Sequence, residues 1–183
     1  MVLAFLPIAA QAHPCHNEAK GLLAGMTHPV IGLDHLLAAL AVGFLSAHMG
    51  GRAFLLLPMT FISCLVVGML AGMGFFGKPA IEALVLSSVL VFGGMMISPK
   101  QLPLSASVLV IGFFGLFHGH AHGSELPEQA VRHLYILGFL TTSGLLHWMA
   151  MATVIVARHY EKTSFVRYAG AAVILSGLIL WIA

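Results

Sequence analysis

Six stretches of nearly unbroken apolar residues run through the chain: His28–Met49, Arg52–Phe75, Pro79–Ser98, Leu102–His118, Gln129–Ala157 and Phe165–Ala183. Each is close to the ~20 residues that carry a helix across ~30 Å of hydrocarbon. None has the polar stripe that a helix of a soluble bundle turns towards water. The joints are short and built from helix breakers: Gly50-Gly51, Gly77-Lys78-Pro79, Ser98-Pro99-Lys100 and Leu126-Pro127. Short joints force neighbouring helices antiparallel. The pattern therefore predicts an all-α, polytopic membrane helix bundle with about six transmembrane helices, forming a single domain over residues 13–183.

The first apolar stretch of all, Met1–Ala12, is too short to span. It ends in Ala10-Gln11-Ala12, the small-x-small pattern that precedes a signal-peptidase cut, although it lacks the usual basic start. Residues 1–12 are read as a cleaved signal peptide, which leaves His13 as the mature terminus. His13, Cys15 and His16 would then offer an amine, two imidazoles and a thiol, a set that captures transition metals; the alternative is a disordered polar terminus.

Composition sharpens the membrane reading. The chain is 60% hydrophobic and 8% charged, against about 25% charged in soluble domains. A net charge of +2 and the lack of a basic run exclude a nucleic-acid partner. Cys64 lies in an apolar run and Cys15 in a polar one, so no disulfide is expected between them. Lys and Arg set the orientation. Arg52, Lys100, Arg158, Lys162 and Arg167 fall on one side, and Lys20, Lys78 and Arg132 on the other. Glu18, Glu82, Glu125 and Glu128 join the second side. The bias puts the first side in the cytoplasm and the N-terminus outside, as expected for a bacterial inner-membrane protein with a cleaved leader.

Histidine is the compositional outlier, with 11 in the chain. Two clusters sit at the edges of apolar runs. In the first, His28-Pro29-Val30-Ile31-Gly32-Leu33-Asp34-His35, a helix starting near Pro29 would place His28 and His35 roughly on one face. Asp34 then lies about 100° from His35. Asp34 is read as an anionic metal ligand or, alternatively, as a residue serving a helix N-terminus. In the second, His118, His120 and His122 alternate with Gly119, Ala121 and Gly123, followed by Glu125. A helix would put His118 and His122 on one face; an extended segment would align all three. Gly115, Gly119 and Gly123 repeat at the spacing that lets helices touch. The topology places both clusters on the outer face, although the charge count made no use of them. Imidazole with carboxylate suits divalent first-row metals. His147, inside the fifth run, is a deeper ligand, an outer-sphere group or a packing histidine.

His-Pro-x-x-Gly-x-Asp-His followed by Leu-Leu-Ala and Ala-Val-Gly (residues 28–43) resembles the first-helix signature of the HupE/UreJ family. Phe117-His118-Gly119-His120-Ala121-His122-Gly123 with Glu125-Leu126-Pro127 resembles its second signature. The likeness extends to the leader, Gly51-Arg52-Ala53 and Leu145-Leu146-His147. It implies a secondary permease for Ni²⁺, or Co²⁺ in some members, with a functional link to hydrogenase or urease maturation. The metal-handling positions it implies are His28, Asp34, His35, His118, His120, His122 and Glu125. Two positions depart from the family pattern: Cys15 stands where Gly is expected, and Ala39 where Met is expected. No G-x-x-x-x-G-K-[ST] is present, so ATP hydrolysis by a P-loop is excluded. The competing classes are a membrane metalloenzyme, which would turn over a substrate on tightly held metal, a haem protein, which would show a Soret band, and a metal-binding accessory protein without flux.

Overall fold

The computed structural model describes residues 14–71, 78–124, 131–162 and 164–182. The expected leader, His13 and Glu125 lie outside the described residues, as do the side chains of Cys15 and His16. The described residues form seven helices and no strand: α1 (Pro14–Ile31), α2 (Leu33–Met49), α3 (Ala53–Ala71), α4 (Lys78–Ile97), α5 (Leu104–Ser124), α6 (Arg132–His159) and α7 (Phe165–Ile182). Five, α3 to α7, are long and apolar enough to cross a membrane. The pair α1–α2 makes a sixth candidate span, bent by 76° at the break between them. The chain is thus an all-helical, multi-pass membrane protein.

Helix α2 is the hub. It touches α1, α3, α4, α6 and α7. Its residues are small enough to allow this: Ala38, Ala39, Ala41, Val42 and Gly43 are all buried. Around it α3 pairs with α5, α1 with α6, and α4 with α7. Phe61, Leu57 and Leu65 of α3, Phe92 of α4, Ile111 of α5 and Phe139 of α6 fill the interior with no exposed surface. Leu55, Val67, Leu109, Trp148, Met149, Leu175 and Ile179 point outward instead. They form the apolar coat that a bilayer solvates. Cys64 is a free thiol.

Two boundaries differ from the sequence reading. Residues 14–27, which precede the first expected span, are helical, because this segment packs along α6. A side chain at Gly25 would run into the Tyr135 carbonyl, and one at Gly138 into that of Leu22. Helix α5 does not end at His118 but continues to Ser124. Its glycines, which would weaken an isolated helix, face α3. Gly115 lies against Phe61 and Cys64, Gly119 against Leu65 and Met69, and Gly123 against Met69. Tertiary contact outweighs the lost propensity.

The opposite end of the bundle is tied differently. Gly50 and Gly51 both take positive φ, 66° and 52°, and turn the chain from α2 into α3. Arg158, at the end of α6, donates from Nη2 to the His48 carbonyl at 2.7 Å. It thereby caps the C-terminus of α2 with a cation, where the helix dipole favours one.

Candidate metal centre

The first His motif is divided by a helix break. Gly32 has an extended ψ of 97°. Its N–H closes α1 on the His28 carbonyl at 3.0 Å, and its own carbonyl accepts the Leu36 N–H at 2.9 Å to open α2. Pro29 lies in the last turn of α1, not at a helix start. The expectation of one helix carrying His28 and His35 on a common face is therefore corrected. The histidines belong to two helices, and the bend turns both towards a third. The His28 and His35 rings lie 4.8 and 5.0 Å from that of His122.

Because α5 stays helical through the second motif, His118 and His122 share its inner face. One nitrogen each from His35, His118 and His122 lie within 4.8 Å of one another. An ion with bonds of about 2.1 Å needs only a modest inward movement of these rings to bind all three. His35 and His118 have no exposed surface, and His122 is buried. His28 adds an outer member, its Nε2 at 2.9 Å from His122 Nδ1. His120 is not one of the three clustered residues, and its backbone lies against Gly68 of α3.

Two serines hold the rings. Ser88 Oγ donates its single proton to the Val85 carbonyl at 2.6 Å and lies 2.8 Å from His118 Nε2. That contact requires His118 to donate from Nε2, so Nδ1 of the neutral ring carries the lone pair. His118 Nδ1 is buried and has no hydrogen-bond partner among the described residues. Ser143 Oγ lies 3.0 Å from His35 Nε2, and His35 Nδ1 is likewise buried and unpartnered. Buried polar atoms are normally satisfied. Two buried nitrogens without partners on neighbouring rings, with the lone pair at His118 Nδ1 fixed by Ser88, mark a place for a ligand that accepts lone pairs, and imidazoles suit a transition metal better than Mg²⁺ or Ca²⁺. Phe139 packs its ring against His35 at 4.7 Å and His122 at 5.0 Å, closing the cluster with apolar surface.

Asp34 stands beside the cluster, outside the three-nitrogen group. Its Oδ1 accepts the His35 N–H at 2.7 Å, in the first turn of α2. The positive end of a helix would otherwise face the histidines. The carboxylate offsets it and fixes the backbone that carries His35. Asp34, Glu82, Thr27, His28, His122 and Tyr135 line an open cavity of about 410 Å³ that leads from the surface to the cluster. A cation approaching the imidazoles passes two carboxylates.

The two motifs thus meet on one end of the bundle, as the topology required. Sequence reasoning missed Ser88, Ser143 and the aromatic lining, because a serine or phenylalanine in an apolar run carries no distinguishing pattern. It also treated Glu82 only as an outer charge. An acid so close to the start of an apolar run was the available signal.

The family model described as HupE / UreJ protein matches residues 1–180. A relative, "Protein HupE" of Rhizobium leguminosarum bv. viciae, is 35% identical over 177 residues, covering 96% of this chain and 91% of that protein. No solved structure matches the chain. With both His signatures folded into one centre and the match running from end to end, the chain belongs to the HupE/UreJ family.

Proposed function

We propose that the protein is a secondary permease that carries divalent transition-metal ions, Ni²⁺ first and Co²⁺ as the alternative, from outside into the cytoplasm. The setting is a bacterial inner membrane with the N-terminus outside, and the carried metal would supply hydrogenase or urease maturation. The observation that carries this reading is the group of three buried histidine nitrogens at the foot of a carboxylate-lined cavity. His13, Cys15, His16 and Glu125 are proposed as capture ligands ahead of that cavity, and His120 as an accessory to it.

The geometry supports a sequence of steps. Asp34 and Glu82 raise the local concentration of cations in the cavity. His28 meets the ion at the rim and passes it to His122, with which it is already in contact. His35 and His118 complete the imidazole set and replace part of the hydration shell. All three inner ligands are imidazoles and none is a carboxylate, which limits affinity and lets the ion leave, as conduction requires.

Flux into proteoliposomes tests the reading directly. Ni²⁺ or Co²⁺ should accumulate inside vesicles holding the purified protein, faster than Mg²⁺ or Ca²⁺. Tight stoichiometric metal without flux would overturn it in favour of the enzyme or accessory classes.

Two substitutions probe the supports of the site. Ser88→Ala removes the acceptor for His118 Nε2–H and should lower Co²⁺ affinity by about 10–100-fold, the usual cost of losing an outer-sphere partner. Ser88→Thr, which keeps the hydroxyl, should recover most of it. Titration of the Co²⁺ absorption bands reads both. Asp34→Asn retains the acceptor for the His35 N–H but loses the charge; Asp34→Ala loses both. The Asn variant should keep wild-type thermal stability with weaker metal uptake, while the Ala variant should also lose the first-turn hydrogen bond to the His35 N–H, about 0.5–1.5 kcal/mol. Equal uptake by Asp34→Asn and wild type would dismiss the electrostatic role.

A further inference from the structure

His147 lies near the middle of α6, on the inner side of the bundle, with 2% of its surface exposed. Its Nδ1 is 2.7 Å from the Ser143 carbonyl. A carbonyl only accepts, so Nδ1 carries the proton and Nε2 of the neutral ring is left as a bare acceptor. No described residue gives Nε2 a hydrogen bond, and the atom is buried. An acceptor left unsatisfied in this way costs about 1–3 kcal/mol. A histidine kept only for packing would have found a donor there, or would cost less as leucine or phenylalanine.

Its position explains the bare nitrogen. Tyr135 lines the outer cavity, and His147 follows it on the same helix after twelve residues, about 18 Å farther in at 1.5 Å per residue. A single aromatic ring links the two levels. Phe61 contacts the His35 and His118 rings at centroid distances of 6.1 and 5.5 Å and the His147 ring at 5.5 Å. Ser143 bridges the same levels through its two oxygens, with the hydroxyl at His35 and the carbonyl at His147. The level of His147 is fixed by α2, because a side chain at Gly43 would come within 2.6 Å of the His147 carbonyl.

We infer that His147 Nε2 is a second docking point for the transported ion, one aromatic ring deeper than the His35–His118–His122 group. The ion leaves the outer group past the edge of Phe61 and is received by a lone pair already aimed and stripped of competing partners. Water or a backbone carbonyl completes its shell there. The inference rests on the transport reading and adds a direction to it: the outer group loads and His147 unloads.

His147→Asn separates the two functions. The shorter amide keeps an N–H for the Ser143 carbonyl and removes the Nε2 base. In the full-length purified protein, Co²⁺ and Ni²⁺ titrations should give an affinity for the outer group within about twofold of wild type. Flux of the same ions into proteoliposomes should fall at least tenfold. His147→Gln, which puts an amide oxygen near the Nε2 position, should restore part of the flux, and it replaces the Asn variant should that one lose its helical circular dichroism. Flux within twofold of wild type in a folded variant overturns the inference. So does loss of metal affinity in step with loss of flux, because His147 would then belong to the outer group or to the scaffold. Failure of the underlying reading looks different: wild-type protein would bind metal and carry none.

Discussion

His35→Ala or His122→Ala should reduce metal affinity by at least about 100-fold and abolish accumulation at micromolar metal. Losing a mere outer-sphere partner costs about 10–100-fold, and each of these residues supplies one of the three nitrogens clustered among the described residues. His122 should be the more sensitive of the two. It contacts the rim histidine, His28, at 2.9 Å as well as belonging to the inner group, so its removal breaks both the handover and the site. His120→Ala, by contrast, should retain at least half of the wild-type affinity, since its ring is outside the group. Isothermal titration with Ni²⁺ on all three variants gives the comparison. A His120→Ala defect as deep as that of His122→Ala would mean that the ion is bound by a different set of side chains.

Gly119→Leu should prevent the bundle from assembling. Even a Cβ at this position would collide with the Leu65 carbonyl, and the Met69 amide nitrogen would be only 2.8 Å away. Backbone cannot step aside as a flexible side-chain tip can. Overpacking into side chains typically costs about 1–3 kcal/mol, and separating two backbones costs more, against a total stability of about 5–15 kcal/mol. Since α5 carries His118 and His122 while α3 carries Phe61, a forced separation also pulls the site apart. Expression in membranes and monodispersity in detergent should collapse. Gly94→Leu, whose Cβ meets nothing within 4 Å, should behave as wild type. A well-folded Gly119→Leu would show that α3 and α5 do not need their close approach.

Much of this architecture was legible in the sequence because apolar length and breaker residues are direct consequences of bilayer thickness. The Gly115-Gly119-Gly123 repeat correctly announced a close helix contact, and the alternation of spans across short joints correctly brought the two His motifs to one end. The break at Gly32 was not legible. Pro29 reads equally well as a helix start or a helix end, and only the packing of α1 on α6 through Gly25 and Gly138 decides between them. The role of Asp34 turned on the same ambiguity: once α2 begins at Leu33, its carboxylate falls in the first turn and takes a backbone N–H. His118 and His122 were separable from His120 only after the helix was known to run through to Ser124. The serines that set the ring nitrogens were invisible, since their meaning lies in distances between residues 30 and 108 positions apart.

The burial of α2 on all sides has a consequence for biogenesis. The helices that cover it, α3, α4, α6 and α7, are all synthesised after it. At the moment it leaves the ribosome, α2 carries Asp34, His35 and His48 with none of these four helices present to hold them. An aspartate at the centre of a lone helix costs about 2.5–3.5 kcal/mol to insert, and less near an end. The segment that bears the metal chemistry is thus a poor membrane anchor by itself. It must be retained at the insertion machinery, or shielded by α1, until the second half of the chain arrives. A chain truncated after α5 should accordingly leave α2 exposed to quality-control proteolysis, although every residue of the three-histidine group has been made.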